Sequence, residues 1–199
     1  MNFLYPERPK LININQPLFE KLSNDPKWVA EPKYNGNRLV LMTDKDKDDV
    51  QFWNRHGEKF SYTPNKDLVD ALEDFLKETK GQCMFDGELR HNKVLGIKHR
   101  IVLWDVFVWD GELQVGKTYH ERRGLLPRTE LWEEHPCLSS PIVQCTSNFK
   151  YFFDLHTKDP EIEGFVIKSH DGKLNLSRTA GQDSNWMVKA RRPSNSYRF

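Results

Sequence analysis

Lys33 ends an apolar run, WVAEP, and is followed by a turn-forming Asn35-Gly36 pair and by Arg38. Asn-Gly between two strands is the commonest hairpin turn, so this segment alone says little beyond a tight connection. Its weight comes from three further sites of like character. Asp86 and Glu88 in FDGEL (85–89) lie two residues apart, on one face of a strand. Glu163 opens and Lys168 closes EGFVIK (163–168), and Lys189 and Arg191 lie two apart in VKAR (188–191). A charge embedded in a strand is costly to bury unless it is paired or bound to something. Lysines, arginines and carboxylates delivered together from several strands suit a triphosphate accompanied by a divalent metal ion.

The elements that must carry these groups can be read from the pattern. A short helix is predicted over 17–23, and strands over 28–33, 38–42 and 50–53, with the charged stretch 43–49 as a solvated hairpin tip. Leu68, Val69, Leu72, Phe75 and Leu76 form one stripe of a helix over 66–78. Strands follow at 83–89 and 99–109, the second ending in an Asp-Gly turn. A helix over 118–132 is broken at Pro127, another covers 148–155, and strands at 163–168 and 185–190 complete the chain. Many strands with a few interspersed helices predict an α+β domain of mostly antiparallel sheets.

The 199 residues, 37% hydrophobic and 30% charged with a formal net charge of +1, make one large domain or two very small ones, with enough apolar residues for a core. No apolar run approaches the roughly 18 to 20 residues of a membrane span, and the mean hydropathy is −0.75. MNFLYPERPKL has no basic-then-apolar leader layout, so the expected location is the cytoplasm, away from membranes. Cys83, Cys137 and Cys145 show no CxxC spacing and read as idle thiols in a reducing compartment.

Taken together, KYNGNR (33–38), NRHG (54–57), FDGEL, LWDVFVWDG (103–111), EGFVIK and WMVKAR (186–191) resemble, in order and spacing, the motifs of the covalent nucleotidyltransferase superfamily. That superfamily comprises ATP-dependent DNA ligases, RNA ligases and mRNA-capping guanylyltransferases. RRGLL (122–126) resembles the helix preceding the later motifs in DNA ligases. The resemblance implies an ATP-grasp-like nucleotidyltransferase (adenylation) domain of mostly antiparallel sheets with flanking helices, spanning residues 1–199 as a single domain. It implies ATP, carried as AMP on Lys33, and Mg²⁺ or Mn²⁺ as cofactors. Lys33 matches the lysine that attacks the α-phosphate. A free lysine titrates near 10.4, so a metal and cationic neighbours such as Lys189 are expected to favour its neutral form. Lys189 and Arg191 match the pair that grips the α-phosphate, and Lys168 a further phosphate-neutralising cation. Asp86, Glu88 and Glu163 match acidic positions of the metal and ribose sites. Arg38 and Arg55 match contacts to ribose, phosphate or a 5′-phosphate end. Glu31 falls where ligases read the adenine amino group, and Trp104 where an aromatic stacks on the base. His56 fills a variable turn position.

Two residues depart from the usual pattern. Asn35 stands in place of an Asp after the lysine, and Arg191 in place of a second Lys. Only seven residues, PSNSYRF, follow Arg192, so no oligonucleotide-binding barrel is expected after the catalytic domain. The basic stretches RHNKVLGIKHR (90–100) and KARRPSNSYRF (189–199) are then the expected nucleic-acid surfaces. The implied activity is a minimal, monomeric ligase sealing 5′-phosphate/3′-hydroxyl nicks in duplex nucleic acid, with RNA-containing nicks favoured slightly over all-DNA. The alternatives are a GTP-dependent capping guanylyltransferase, disfavoured by Glu31 and by Glu163 opening EGFVIK, and a non-catalytic nucleic-acid-binding remnant.

Overall fold

The computed structural model describes residues 1–44, 49–77, 79–126, 134–141, 148–175 and 179–192. Its elements in chain order are β1 (Arg8–Ile12), α1 (Pro17–Ser23), β2 (Trp28–Tyr34), β3 (Asn37–Asp44), β4 (Asp49–Asn54), α2 (Lys66–Leu76), β5 (Gln82–Arg90), β6 (Arg100–Trp109), β7 (Glu112–Leu113), α3 (Tyr119–Arg123), β8 (Leu138–Ser139), α4 (Phe149–His156), β9 (Ile162–Ser169) and β10 (Asp183–Arg191). They form a four-stranded sheet, β1-β10-β9-β2, and a larger sheet, β4-β3-β5-β6-β7, with β8 beside β6. Pairing is antiparallel except for β1 with β10 and β6 with β8. The architecture is α+β, as the pattern of elements predicts.

Strand alternation sorts the side chains into three layers. On β3, Leu39 and Leu41 face α2, where they meet Leu68, Leu72 and Phe75. On β2 and β9, Ala30, Phe165 and Ile167 face α1 and α4, where they meet Phe19, Phe149 and Phe153. The opposite faces of both sheets look at each other. One part of that interior is apolar, with Val29 and Met187 against Val40, Met42, Met84 and Phe107. Each such side chain contributes about 1.5–3 kcal/mol on burial. The other part carries the charges, at positions 31, 33, 189 and 191 on one sheet and 38, 86 and 88 on the other. Strands covered on both faces explain why so few of them read as simple alternation.

Helix starts are set locally. Asn65 caps α2 by accepting from the Leu68 amide, and Thr118 and Glu121 form a reciprocal capping box on α3. The Asp110-Gly111 turn has both residues at positive φ, 52° and 82°, the geometry expected of a two-residue hairpin. The helix expected over 118–132 is shorter than its pattern: α3 ends at Arg123 with Gly124 as its C-cap, and Leu126 then turns into the core. Gly124 ends the helix before Pro127 is reached. Pro127, the tip 45–48, Cys145 and the tail 193–199 lie outside the described residues. Strands β1, β7 and β8 are not expected from the pattern.

Candidate active site

A cavity of about 430 Å³ opens between the two sheets at the charged part of their interior. The register of the smaller sheet explains its floor. Lys33 on β2, Gly164 on β9 and Arg191 on β10 lie in one cross-strand row, and Glu31, Val166 and Lys189 in the next. Residues directly opposite on paired strands share a face, so both rows point into the cavity. Gly164 is needed for this packing, because a Cβ there would run into the Ala190 carbonyl.

Lys33 Nζ lies 2.9 Å from Glu163 Oε2, and Arg191 Nε 3.4 Å from the same oxygen. A register slip between Lys33 and Tyr34 accompanies the approach of Glu163, which lines the same cavity. Burial lowers the Lys189 ammonium to about 8, and the cations Arg191 and Lys33 push in the same direction. From the larger sheet come Arg38, Glu88 and Trp104, and from the turn after β4 the exposed Arg55 and His56. Arg55 Nε donates to His56 Nε2 at 3.0 Å, which occupies the imidazole as an acceptor.

Two of the expected site residues have charge partners within the protein. Asp86, expected at a metal, is 3% exposed and has both oxygens engaged. It receives Arg38 Nε at 2.6 Å and Nη2 at 2.5 Å, and Trp104 Nε1 at 2.9 Å. It therefore orients Arg38 and Trp104, whose ring carries the Arg38 guanidinium 5.2 Å from its centroid. Lys168, expected at a phosphate, is 2% exposed and held 2.6 Å from Glu31 Oε2, beneath the Tyr119 ring. Its charge is matched by that carboxylate.

Glu31 is itself enclosed. Its Oε1 accepts from the Tyr119 hydroxyl and, at 3.0 Å, from Arg123 Nη1. A carboxylate offers about four acceptor directions, so with three donors in place one remains, on Oε2. Tyr119 and Arg123 both come from α3. That helix is fixed by Arg122, fully buried, which forms a two-point pair with Asp105 at 2.8 and 3.0 Å and donates to the carbonyls of Lys117 and Gly172. Arg122 and Arg123 lie in RRGLL, a segment whose pattern alone does not disclose this anchoring. Glu7 and Arg8 also stand on the cavity wall, marked in the sequence only by the prolines on either side, and Lys93 of the basic stretch 90–100 joins them.

Glu88 has a different character. It is 6% exposed, lines the cavity, and makes no hydrogen bond or ion pair among the described residues. Burial pushes its carboxyl up to about 7, against the pull of Lys33 and Arg38. Gly36 admits it, since a Cβ on residue 36 would lie 2.5 Å from Glu88 Cγ. Among the described residues no three metal-ligating side chains cluster. A buried carboxylate without a partner, with Glu163 as a second oxygen donor nearby, fits a hard divalent ion that takes its other ligands from water and phosphate.

A family model described as the ATP dependent DNA ligase domain matches residues 10–95. Comparison with curated proteins gives no match. Solved structures do match. A mycobacterial DNA ligase D complexed with ATP and MES superposes with a TM-score of 0.67 at 19% identity, covering 94% of this chain and 60% of that one. The ATP complex of the ATP-dependent DNA ligase from bacteriophage T7 gives 0.56 at 16% identity, covering 92% and 67%. A Naegleria gruberi RNA ligase variant with AMP and Mn gives 0.54 at 12%, covering 96% and 57%. The chain thus has the nucleotidyltransferase fold shared by these enzymes. Residues 10–95 are similar to the ATP dependent DNA ligase domain, and the chain spans about three fifths of the length of the ligase D structure.

Proposed function

We propose that the chain is an ATP-dependent polynucleotide ligase whose nucleophile is Lys33, acting on a nicked duplex. The observation that carries this reading is the setting of Lys33. It stands in the cavity in contact with Glu163, beside a second lysine whose ammonium is lowered to about 8 and an arginine. In the first step the neutral Lys33 Nζ forms a bond to the α-phosphorus of ATP and gives up a proton. The bond from that phosphorus to the bridging oxygen breaks, and pyrophosphate leaves with its electron pair. An oxygen of a 5′-phosphate then displaces Lys33 from the adenylate, and a neighbouring 3′-hydroxyl displaces AMP to close the strand. Lys189 and Arg191 would stabilise charge at the α-phosphate. Glu88 and Glu163 would hold a divalent ion, which neutralises phosphate charge when bound. The remaining acceptor on Glu31 Oε2 suits an exocyclic amino group, which adenine offers and guanine's O6 edge does not. Trp104 supplies an aromatic face on the same cavity.

A nicked duplex is favoured because base pairing aligns the two ends. Of the basic stretch 90–100, Lys93, Lys98 and Arg100 are exposed and Lys93 reaches the cavity, whereas Arg90 is buried on Glu161. Solved structures of like fold include both DNA and RNA ligases, and an RNA-containing nick is the preferred substrate in our reading. The test is incubation with α-labelled ATP or GTP. Covalent, acid-labile label from ATP is expected, and none with Lys33→Ala. Label from GTP alone would support capping instead. No label from either nucleotide, with nucleic-acid binding unchanged in Lys33→Ala, would leave a binding module.

A further inference from the structure

The cationic wall of the cavity has a member that belongs to none of the motif-bearing strands. Arg8 opens β1 between Pro6 and Pro9, and its main chain is held on both sides. The Glu7 carboxylate, 4% exposed, accepts from Asn175 Nδ2 at 3.0 Å and Trp186 Nε1 at 2.8 Å. The Glu7 carbonyl accepts from Arg38 Nη2 at 3.3 Å, and the Arg8 amide donates to the Gln182 carbonyl at 2.7 Å. The β1–β10 register slips between Arg8 and Lys10. The intervening Pro9 has no N–H, so the slip leaves no donor unpaired there. Arg8 lines the cavity at this break. Its guanidinium meets Asp183 Oδ1 through Nε alone, at 2.8 Å, with the side chains 54% and 42% exposed, and both Nη groups are uncommitted among the described residues.

Position gives Arg8 a task. The sheet order β1-β10-β9-β2 places Lys33 on one edge strand and Arg8 on the other, with Lys189 on β10 between them. Phosphoryl transfer is in line, so the leaving group departs on the side opposite the attacking atom. With Lys33 attacking from the β2 edge, the departing group moves across β10 toward β1. Arg8 and Lys189 line the same cavity, and Arg8 is among the cations that lower the Lys189 ammonium. A planar guanidinium with two free Nη groups suits a two-point contact to phosphate.

We propose that Arg8 binds the β- and γ-phosphates of the nucleotide and the pyrophosphate they become. This rests on Lys33 being the nucleophile. The same phosphate chemistry is offered by the 5′-phosphate of a nucleic-acid end, and the two sources are separable. The full chain, labelled on Lys33 with α-labelled ATP and Mg²⁺, is exposed to graded inorganic pyrophosphate, and release of labelled ATP is followed. Arg8→Ala should need about tenfold more pyrophosphate for half-maximal release, and about tenfold more ATP for half-maximal labelling. Arg8→Lys should fall between it and wild type, and Asp183→Asn, which frees the guanidinium, should not weaken either. In parallel, prelabelled protein is given a 5′-phosphorylated nicked duplex. An unchanged pyrophosphate requirement in both Arg8 variants overturns the proposal, as does a defect confined to transfer onto the 5′-phosphate. Absence of label on wild-type protein would instead overturn Lys33 as nucleophile.

Discussion

Replacing Glu88 by Gln removes a buried charge while keeping the shape of the side chain. Glu88 is 6% exposed and its carboxyl is pushed up to about 7 by burial. Its folded-state pKa thus lies above the unfolded value, and folding takes up a proton between about 4.5 and 7. The burden is absent well below the unfolded value, grows as pH rises, and is complete above the folded value. The rise from 4.5 to about 7 corresponds to about 3 kcal/mol. At pH 5 it falls to about 1 kcal/mol or less. Without ligands, Glu88→Gln should therefore melt about 6–12 °C above wild type at pH 8, given about 2–4 °C per kcal/mol for a chain of this size. Thermal unfolding at pH 8 and pH 5 measures the difference. Added Mg²⁺ should raise wild type at pH 8 more than the variant, because the variant lacks the charge that the ion neutralises. The variant should also label poorly with ATP, trading function for stability. A variant that melts with or below wild type at pH 8, or whose advantage is as large at pH 5, refutes the reasoning.

Arg122→Ala should cost about 3–5 kcal/mol in denaturant unfolding, because it strands Asp105 as a buried, unpaired charge. Glu7→Gln should cost about 1–3 kcal/mol by the same measurement, since one of its two acceptors becomes a donor facing Trp186 or Asn175. In Gly36→Ala the new Cβ would lie 2.5 Å from Glu88 Cγ and 2.7 Å from the Leu89 carbonyl. The loop after Lys33 must then shift, and single-turnover labelling should slow by about a hundredfold for a displacement near 1 Å.

Much of the fold was legible because its signals are local. Strands β2 to β6, β9 and β10 and the helices α1, α2 and α4 fall where apolar periodicity and turn residues place them, and charged positions on these strands are visible as interruptions. Strand β1 was not legible: its partner is β10, so Arg8 and its ion-pair partner Asp183 are separated by 175 positions, and RPKLI has no alternation of its own. Asp86 and Glu88 show a second limit. Two-residue spacing put both on one face, but only the neighbouring strand decides what each does. Arg38 is paired in register with Glu88, yet its guanidinium reaches diagonally to Asp86 and leaves Glu88 open to the cavity. The enclosure of Glu31 was equally hidden, since Tyr119 and Arg123 lie 88 and 92 positions away.

The pairing of the first strand with the last also sets an order of events during synthesis. A chain made at about 5–20 residues per second has β1 outside the ribosome roughly 10 to 40 seconds before β10 is made. Until then β1 has an unpaired edge, and the prolines beside Arg8 limit what else can zip onto it. The larger sheet can form earlier, but β2, which carries Lys33, waits for β9, and β1 waits for β10, so the floor of the cavity is assembled last. A chain that stops before β9 would therefore present Lys33 without the cavity around it, and the site is completed as a late event in the life of each molecule.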